Sequence, residues 1–222
     1  MKAVLRITIA FAGATVVYAP AAGQQIELAD KRLVLADFAN CLVRMGAGQS
    51  EKLLRTEPGS PEERHAAEVL GRGQSSCLTN RMFLSMQPGM IRGLVAEAMF
   101  KRHHPDWLVA AERLPSSAPV RPARPVRAAG SAERAGAKAG RQFMDAYSTC
   151  LAKAAPAQVA KLLGTGIDSP EEQQAILGFG DDLHDCMPFG VKYELNVGSL
   201  RANLASALYL QFAGQQQSAA TK

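Results

Sequence analysis

The sequence predicts an all-α protein made of two homologous helical modules in tandem, each stapled by one disulfide. Residues 28–113 align with residues 137–222 without a gap after a shift of 109 positions. The four cysteines obey the same shift, and apolar residues recur at the three- and four-residue steps of a helix. We expect the two modules to pack about a pseudo-twofold axis, across which one short strand from each module could form a minor two-stranded β pairing.

The first residues have the pattern of a secretory signal peptide, which we place at residues 1–23. Lys2 and Arg6 precede the apolar run Ile7–Val17, and small residues around Ala21 offer a cleavage site. The run has 11 residues, whereas crossing a bilayer takes roughly 20. The interpretation is an exported bacterial protein, periplasmic or secreted, with no transmembrane segment after cleavage.

The remainder of the chain divides into four parts. Module 1 covers residues 27–113 and module 2 covers residues 139–212. Between them, residues 114–138 are rich in Pro, Ala and Arg and are predicted to form a linker. The tail, residues 213–222, is small and polar and is predicted to be disordered.

Four cysteines in an exported chain indicate structural disulfides. They can pair in three ways, and the repeat favours the pairing that closes each module on itself. Within a module the two cysteines are 36 residues apart, without the close grouping of a metal site. The expected bridges are Cys41–Cys77 and Cys150–Cys186.

Each module is predicted to contain four helices. The first carries the first cysteine, and a short second helix covers residues 49–55 or 158–164. The third has the clearest start, because Ser60 can cap it, Pro61 suits its first position and Glu63 can close a capping box. The same four residue types, Ser-Pro-Glu-Glu, recur at 169–172.

The fourth helix of each module is the most apolar, and it is the expected contact between modules. These helices are predicted at Met90–Arg102 and Ser199–Phe212. The segments before them, 82–86 and 191–197, could be short strands or extended connectors. An extra short helix containing Trp107 is predicted at Pro105–Arg113, where it caps module 1 or fills the cleft between the modules.

The net positive charge of the chain comes from segments outside the modules. The formal net charge is +5, of which the signal peptide carries +2 and Leu114–Gly140 carries +4, leaving −1 for everything else. The modules are therefore close to neutral. A nucleic-acid-binding face on them is not expected.

The linker places arginines at every third residue, alternating with prolines. In a polyproline II helix, which turns once per three residues, they would project from one face. Such a stripe could lie on an anionic surface of lipid head groups or cell-wall polymer, and the proline spacing could also dock in an aromatic groove. A stiff soluble spacer is the third alternative. The arginines are Arg121, Arg124 and Arg127.

Arg92 and Arg201 are candidate anion-binding or structural ion-pair residues. Each stands near the start of the most apolar helix of its module, where a guanidinium needs an anion. One alternative is an internal pair with Glu62 or Glu63 and with Glu171 or Glu172. The other is a pair of symmetry-related sites for an external anion.

Two patterns resemble metal or acid–base sites but occur in one module only. The cluster Asp181–Asp185 is matched by Arg72–Ser76, and the methionines Met82, Met86 and Met90 are matched by Val191, Leu195 and Ser199. We interpret the first as a solvated loop and the second as core. No catalytic residue, metal site or cofactor is predicted, and the chain is not expected to be an enzyme.

Two classes of function follow from the sequence. The first is a non-catalytic exported protein that binds a partner protein, another cell-envelope component or an anionic envelope surface through the linker and the cleft between modules. The second is a periplasmic carrier that holds a small apolar or anionic ligand in that cleft. The sequence does not indicate an oligomeric state.

Overall fold

The structure, a computed structural model, describes residues 28–73, 75–77, 88–120, 122, 132–187 and 196–220. Most of these residues are helical and none is in a β-strand, so the all-α prediction is confirmed. The predicted signal peptide 1–23, the segment 82–86 and residues 191–195 lie outside the described residues. Val197, placed in a strand as one alternative, is the first residue of a helix.

Ten α-helices follow one another in the described residues. They are α1 (Leu28–Met45), α2 (Ala47–Arg55), α3 (Pro61–Gly73), α4 (Pro88–Arg102), α5 (Pro105–Ala111), α6 (Ala132–Ala154), α7 (Pro156–Gly164), α8 (Pro170–Leu177), α9 (Asp182–Asp185) and α10 (Val197–Ala220). A single 3₁₀ turn, Ser75–Cys77, follows α3. We call α1–α5 the first half and α6–α10 the second half.

One disulfide closes each half, in the pairing predicted from the repeat. Cys41 on α1 is bonded to Cys77, with Cα atoms 5.6 Å apart, and Cys150 on α6 is bonded to Cys186, with Cα atoms 5.7 Å apart. Each bridge ties the first helix of its half to the segment that follows the third helix. In the loop-entropy description, a closed loop of this length stabilises the fold by roughly 3–4 kcal/mol.

The helices α3 and α8 begin with the same side-chain contacts. The hydroxyl of Ser60 accepts a hydrogen bond from the backbone N–H of Glu63 (3.0 Å), as the predicted cap requires. The carboxylate of Glu63 reaches back one residue further than in a capping box and accepts from the N–H of Gly59 (2.7 Å). In α8 the equivalent contact joins Asp168 N–H to Glu172 (2.9 Å).

Left-handed backbone precedes both helices, with φ of 79° at Gly59 and 57° at Asp168. Asp168 is the only residue other than glycine with positive φ among the described residues. A short polar side chain tolerates this conformation better than most.

Helices α4 and α10 cross at the centre of the molecule. A Cβ atom on Gly93 would overlap the carbonyl oxygen of Ala202 and lie 2.6 Å from the Ala202 Cβ. The two backbones therefore meet closely, and only glycine fits at position 93. Around this crossing, residues of both halves form one continuous hydrophobic cluster.

Helix α5 carries the buried ring of Trp107 into the space between the halves. The indole is 6% exposed and stacks on His104 with ring centroids 4.0 Å apart. It also contacts Tyr209 and Phe212 of α10, at 5.3 and 5.4 Å between centroids. Because α5 also contacts α7, the extra helix joins the two halves.

Helices occupy parts of the two segments that were predicted to be irregular, the linker and the tail. α6 begins at Ala132, inside the predicted linker 114–138, and α10 continues to Ala220, through most of the tail 213–222 that was predicted to be disordered. These segments lack an apolar stripe, which is why they were predicted as irregular. They are nevertheless rich in helix-forming Ala, Gln, Arg and Lys and extend existing helices, so no new helix nucleus is needed.

Within the described residues, no helix combines the length and the apolar character that crossing a membrane requires.

Candidate functional site

Arg92, on α4, is buried against the C-terminal end of α2. Its Nη1 donates to the carbonyl of Leu53 (3.0 Å) and the hydroxyl of Thr56 (2.9 Å), and its Nη2 donates to the carbonyls of Leu54 (2.6 Å) and Thr56 (2.7 Å). Carbonyls at a helix end lack partners within the helix, so the guanidinium satisfies them. The carboxylate of Glu63 lies 3.4 Å from Nη1.

Arg201, on α10, occupies the equivalent place in the second half. Its Nη1 donates to the hydroxyl of Thr165 (3.0 Å), and its Nη2 donates to the carbonyls of Thr165 (2.9 Å) and Leu163 (3.1 Å). Glu172 accepts from Nη1 at 2.9 Å. These contacts match contacts of Arg92 after the shift of 109 residues.

Each arginine also reaches into the other half. Arg92 Nε donates to the hydroxyl of Ser206 (3.1 Å), and Arg201 Nε donates to both carboxylate oxygens of Glu97 (3.0 and 3.1 Å). Positions 97 and 206 are themselves 109 residues apart. The two contacts are therefore reciprocal, but the acceptor is a hydroxyl in one and a carboxylate in the other. All three nitrogens of each guanidinium donate to acceptors within the protein.

A third arginine, Arg32 on α1 of the first half, adds a second ionic connection between the halves. Its Nη2 and Nη1 donate to the two carboxylate oxygens of Glu172 at 2.6 and 2.9 Å, and it also pairs with Asp168. Lys101 completes the network by pairing with Glu97 at 2.7 Å. Glu172 thus bridges Arg32 and Arg201, and α1 is tied to α8 by an ion pair that is largely buried.

The network favours the ionised form of two of its carboxyl groups, Glu97 and Glu172. Burial alone would raise the pKa of Glu97, but the hydrogen bonds and charge of Arg201 outweigh burial, and the pKa is lowered. For Glu172, burial is likewise outweighed, here by Arg32 together with Asp168 N–H and Arg201, and its pKa is also lowered. These shifts match two carboxylates that share three cations.

A half-buried carboxyl, Asp145 on α6, lies near Arg92. Burial and the charge of Glu63 raise the pKa of Asp145 to about 6, against the lowering effect of Arg92 and Arg141. The equivalent position in the first half is Ala36. Asp145 is therefore a carboxyl on the Arg92 side of the molecule that has no counterpart on the Arg201 side.

A cavity of about 130 Å³ opens between α1, α4, α10 and the loop that joins α7 to α8. Apolar side chains form its walls. Lys31 and Asn196 lie at its edge, and the Arg201–Glu97 pair forms part of its lining. The apolar lining residues are Leu35, Met90, Leu94, Ile167 and Ala202.

The predicted binding arginines Arg121, Arg124 and Arg127 lie outside the described residues. The segment leading to them is described from residue 115 to 120 and is exposed throughout. A backbone hydrogen bond joins this segment to α6, from the N–H of Ser117 to the carbonyl of Lys153 (3.0 Å).

The acidic cluster beside Cys186 forms the single helical turn α9 instead of a loop. His184 lies 3.5 Å from the carboxylate of Asp185, and its side chain is exposed. Across the described ranges, His, Cys, Asp and Glu side chains form no group of three that could hold a metal ion. Of the three methionines, Met90 lines the cavity, and the other two fall outside these ranges.

Arg32 and Glu97 of the network, and Asp145 beside it, were not singled out from the sequence. Arg32 had a signal, because Arg141 stands 109 residues later and a repeated arginine marks a shared role. Glu97 and Asp145 had none, since their counterparts are Ser206 and Ala36. Comparing the two copies of the repeat identifies residues that both copies share, and it cannot identify a functional residue that only one copy has.

Comparison with known proteins gives no match for this chain at any of three levels: protein families, curated proteins and solved structures. Its candidate site therefore stands on its own geometry.

Proposed function

We propose that this protein is an exported, non-catalytic helical protein that binds an anionic surface of the cell envelope through residues 114–138. The observation that carries the proposal is the separation of charge. Leu114–Gly140 carries a net +4, whereas the rest of the chain after residue 23 carries −1. A concentrated basic segment on a near-neutral scaffold is attracted to anionic lipid head groups or polymer.

Two features of the fold support this assignment. Arg92 and Arg201 donate their hydrogen bonds to acceptors inside the protein, so they stabilise the fold and are not available to an external anion. The basic segment is then the part of the chain that would bind an anionic surface. The two disulfides suit an oxidising compartment outside the cytoplasm.

We also propose that the two halves are copies of one module packed about a pseudo-twofold axis. In such an interface, a contact from i to j is accompanied by the contact between their equivalents. Arg92–Ser206 and Arg201–Glu97 are related in this way. Gly93 meets its own equivalent, Ala202, as a residue on the axis must.

Binding to vesicles tests the surface assignment. The full chain should bind vesicles that contain phosphatidylglycerol, and binding should weaken as salt is added. Changing Arg121, Arg124 and Arg127 to Gln should abolish most of it. The matched control changes the exposed Arg64, Arg102 and Arg113 to Gln, which removes the same charge from the folded halves and should leave binding largely intact.

Two results would overturn the assignment. Equal loss in both triple variants would show attraction to total charge, with no role for the segment. If vesicle binding does not weaken as salt is added, the contact is not electrostatic.

A second candidate function is a carrier, and the cavity between the halves favours it. Native mass spectrometry of protein purified from the exported fraction tests this candidate. A reproducible added mass supports a carrier, and a mass equal to the disulfide-bonded chain alone supports the surface-binding protein.

A further inference from the structure

The cavity between the halves has the size and walls of a site for a small hydrocarbon group. Its volume is about 130 Å³, close to the roughly 150 Å³ of an apolar cavity that binds benzene. Leu35, Leu94 and Ile167 come from α1, α4 and the α7–α8 loop, so the walls are built from both halves. Apolar walls around a cavity of this volume favour a ligand with a compact hydrocarbon body.

The charged groups in the lining mostly neutralise one another. Glu97 and Arg201 are paired at 2.7 Å, and Arg32 donates to Glu172 at 2.6 Å. A carboxylate already held by Arg201 and Lys101 has little capacity left to accept from a ligand. The lining therefore presents no strong site for a cationic group.

The groups that remain available at the edge are hydrogen-bond donors. The ammonium group of exposed Lys31 makes no ion pair or hydrogen bond with the described residues. Asn196 uses its carbonyl oxygen to accept from Ser199 N–H (3.1 Å), and its amide N–H groups have no acceptor among the residues that the structure describes. One cation and one amide beside apolar walls match an anionic group attached to a hydrocarbon.

We propose that this cavity binds a small monocarboxylate with a hydrocarbon body about as large as a benzene ring. Its carboxylate meets Lys31 and Asn196 at the edge, and its hydrocarbon body packs against Leu35, Leu94 and Ile167. The inference rests on the carrier function given above as the second candidate. It is independent of residues 114–138.

The other half offers no second copy of the site. The counterparts of Lys31, Leu94 and Ile167 are Gly140, Asn203 and Pro58. The cation is absent and one apolar wall is polar at these positions. The site should therefore bind one ligand per chain.

Calorimetric titration with three probes of the same shape tests the proposal. Benzoate, benzyl alcohol and benzylamine share the ring and differ in the charge of the attached group. Benzoate should bind tightest with one molecule per chain, and benzylamine weakest. Lys31→Ala should weaken benzoate binding roughly tenfold, as expected for loss of a charged hydrogen bond, and leave benzyl alcohol unchanged.

Two further variants control the test. Leu94→Asn copies the counterpart and should weaken both benzoate and benzyl alcohol, because it removes an apolar wall. Lys161→Ala removes an exposed lysine of α7 that does not line the cavity, and it should change neither. Circular dichroism of each variant verifies that the helices are retained.

The outcomes separate the ligand class from the carrier function. If benzyl alcohol or benzylamine binds as tightly as benzoate, and Lys31→Ala has no effect, the cavity is a ligand site but the carboxylate assignment is wrong. If no probe binds to the wild-type chain, the cavity is not a site for ligands of this size, and the carrier candidate loses its supporting observation as well.

Discussion

Arg92 and Arg201 stand at equivalent positions and contact equivalent threonines, but their surroundings differ in charge. Arg201 touches two carboxylates, Glu97 and Glu172. Among the described residues, Arg92 has a single carboxylate contact, with Glu63, and in place of the second it meets the hydroxyl of Ser206. The geometry of the site is shared by both halves, and the charge balance is set separately in each.

The pKa shifts of the two arginines follow this difference. For Arg92, burial outweighs Glu63 and the pKa is lowered. For Arg201, burial is outweighed by Glu97 and Glu172, and the pKa is raised. A buried guanidinium can thus be held by helix-end carbonyls with little countercharge, and a single substitution across the interface decides how strongly its charge is compensated.

The largest effect is expected at the reciprocal positions 97 and 206. Glu97→Gln should lower the free energy of unfolding by about 2–4 kcal/mol, because Arg201 loses one of two buried countercharges. Ser206→Ala should cost only about 1 kcal/mol, the contribution of one neutral hydrogen bond. Urea unfolding followed by circular dichroism measures both, and equal losses would contradict the difference inferred between the two sites.

Acid should shrink the effect of Glu97→Gln. Since the pKa of Glu97 is lowered in the fold, its contribution is complete above the unfolded-state pKa and is lost as the pH falls through the lower folded-state pKa. The unfolding free energies of wild type and variant should therefore converge in acid, while Ser206→Ala should keep a constant difference.

The next largest effect concerns the crossing of α4 and α10. Gly93→Ala should cost roughly 2–3 kcal/mol, because the new methyl group overlaps the backbone of Ala202 and the helices must separate. Gly89→Ala, on the same helix with no atom within 4 Å of the added Cβ, is the control and should be neutral or slightly stabilising. The same unfolding measurement applies, and similar values for both variants would argue against a close crossing.

A smaller effect on stability is expected at Asp145, whose equivalent in the first half is not a carboxyl. Its pKa is raised to about 6, so its favourable contribution is present below the unfolded-state pKa and is lost as the pH rises through about 6. Asp145→Asn should therefore stabilise the protein by about 1–2 kcal/mol near pH 8, allowing for solvent screening, and have no effect near about pH 3.5. Thermal unfolding at both pH values measures this difference.

Asp37→Asn, an exposed aspartate on α1, is the control for Asp145→Asn. If Asp37→Asn stabilises the protein as much near neutral pH, the gain would reflect net charge and not the surroundings of Asp145.

The smallest effect should be equal in the two halves. Ser60→Ala and Ser169→Ala each remove a helix cap that accepts from a backbone N–H at 3.0 or 3.2 Å, and each should cost about 1 kcal/mol. The effects should add in the double variant, because the caps lie in different halves. A large difference between the single variants would show that the two helix starts are not energetically equivalent.

The sequence predicted what local patterns and the repeat encode. The Ser-Pro-Glu-Glu starts and the cysteine pairing depend on residues close together or repeated at one spacing, and both are present in the structure. The contact between Arg32 and Glu172 depends on how α1 of one half lies against α8 of the other, which no local pattern specifies. Glu97 was missed for a different reason, because a carboxylate present in one copy only has no repeated signal.

Trp107 gives the molecule a built-in optical probe. It is the only tryptophan in the chain, and its ring projects from α5 and packs against two aromatic side chains of α10. Indole emission moves to longer wavelength when the ring meets water. Because Tyr209 and Phe212 belong to the second half, a red shift of the emission would report separation of the halves, whereas loss of helical circular dichroism would report unfolding within either one. Comparing the two signals along a single denaturation curve would show whether the halves come apart before they unfold.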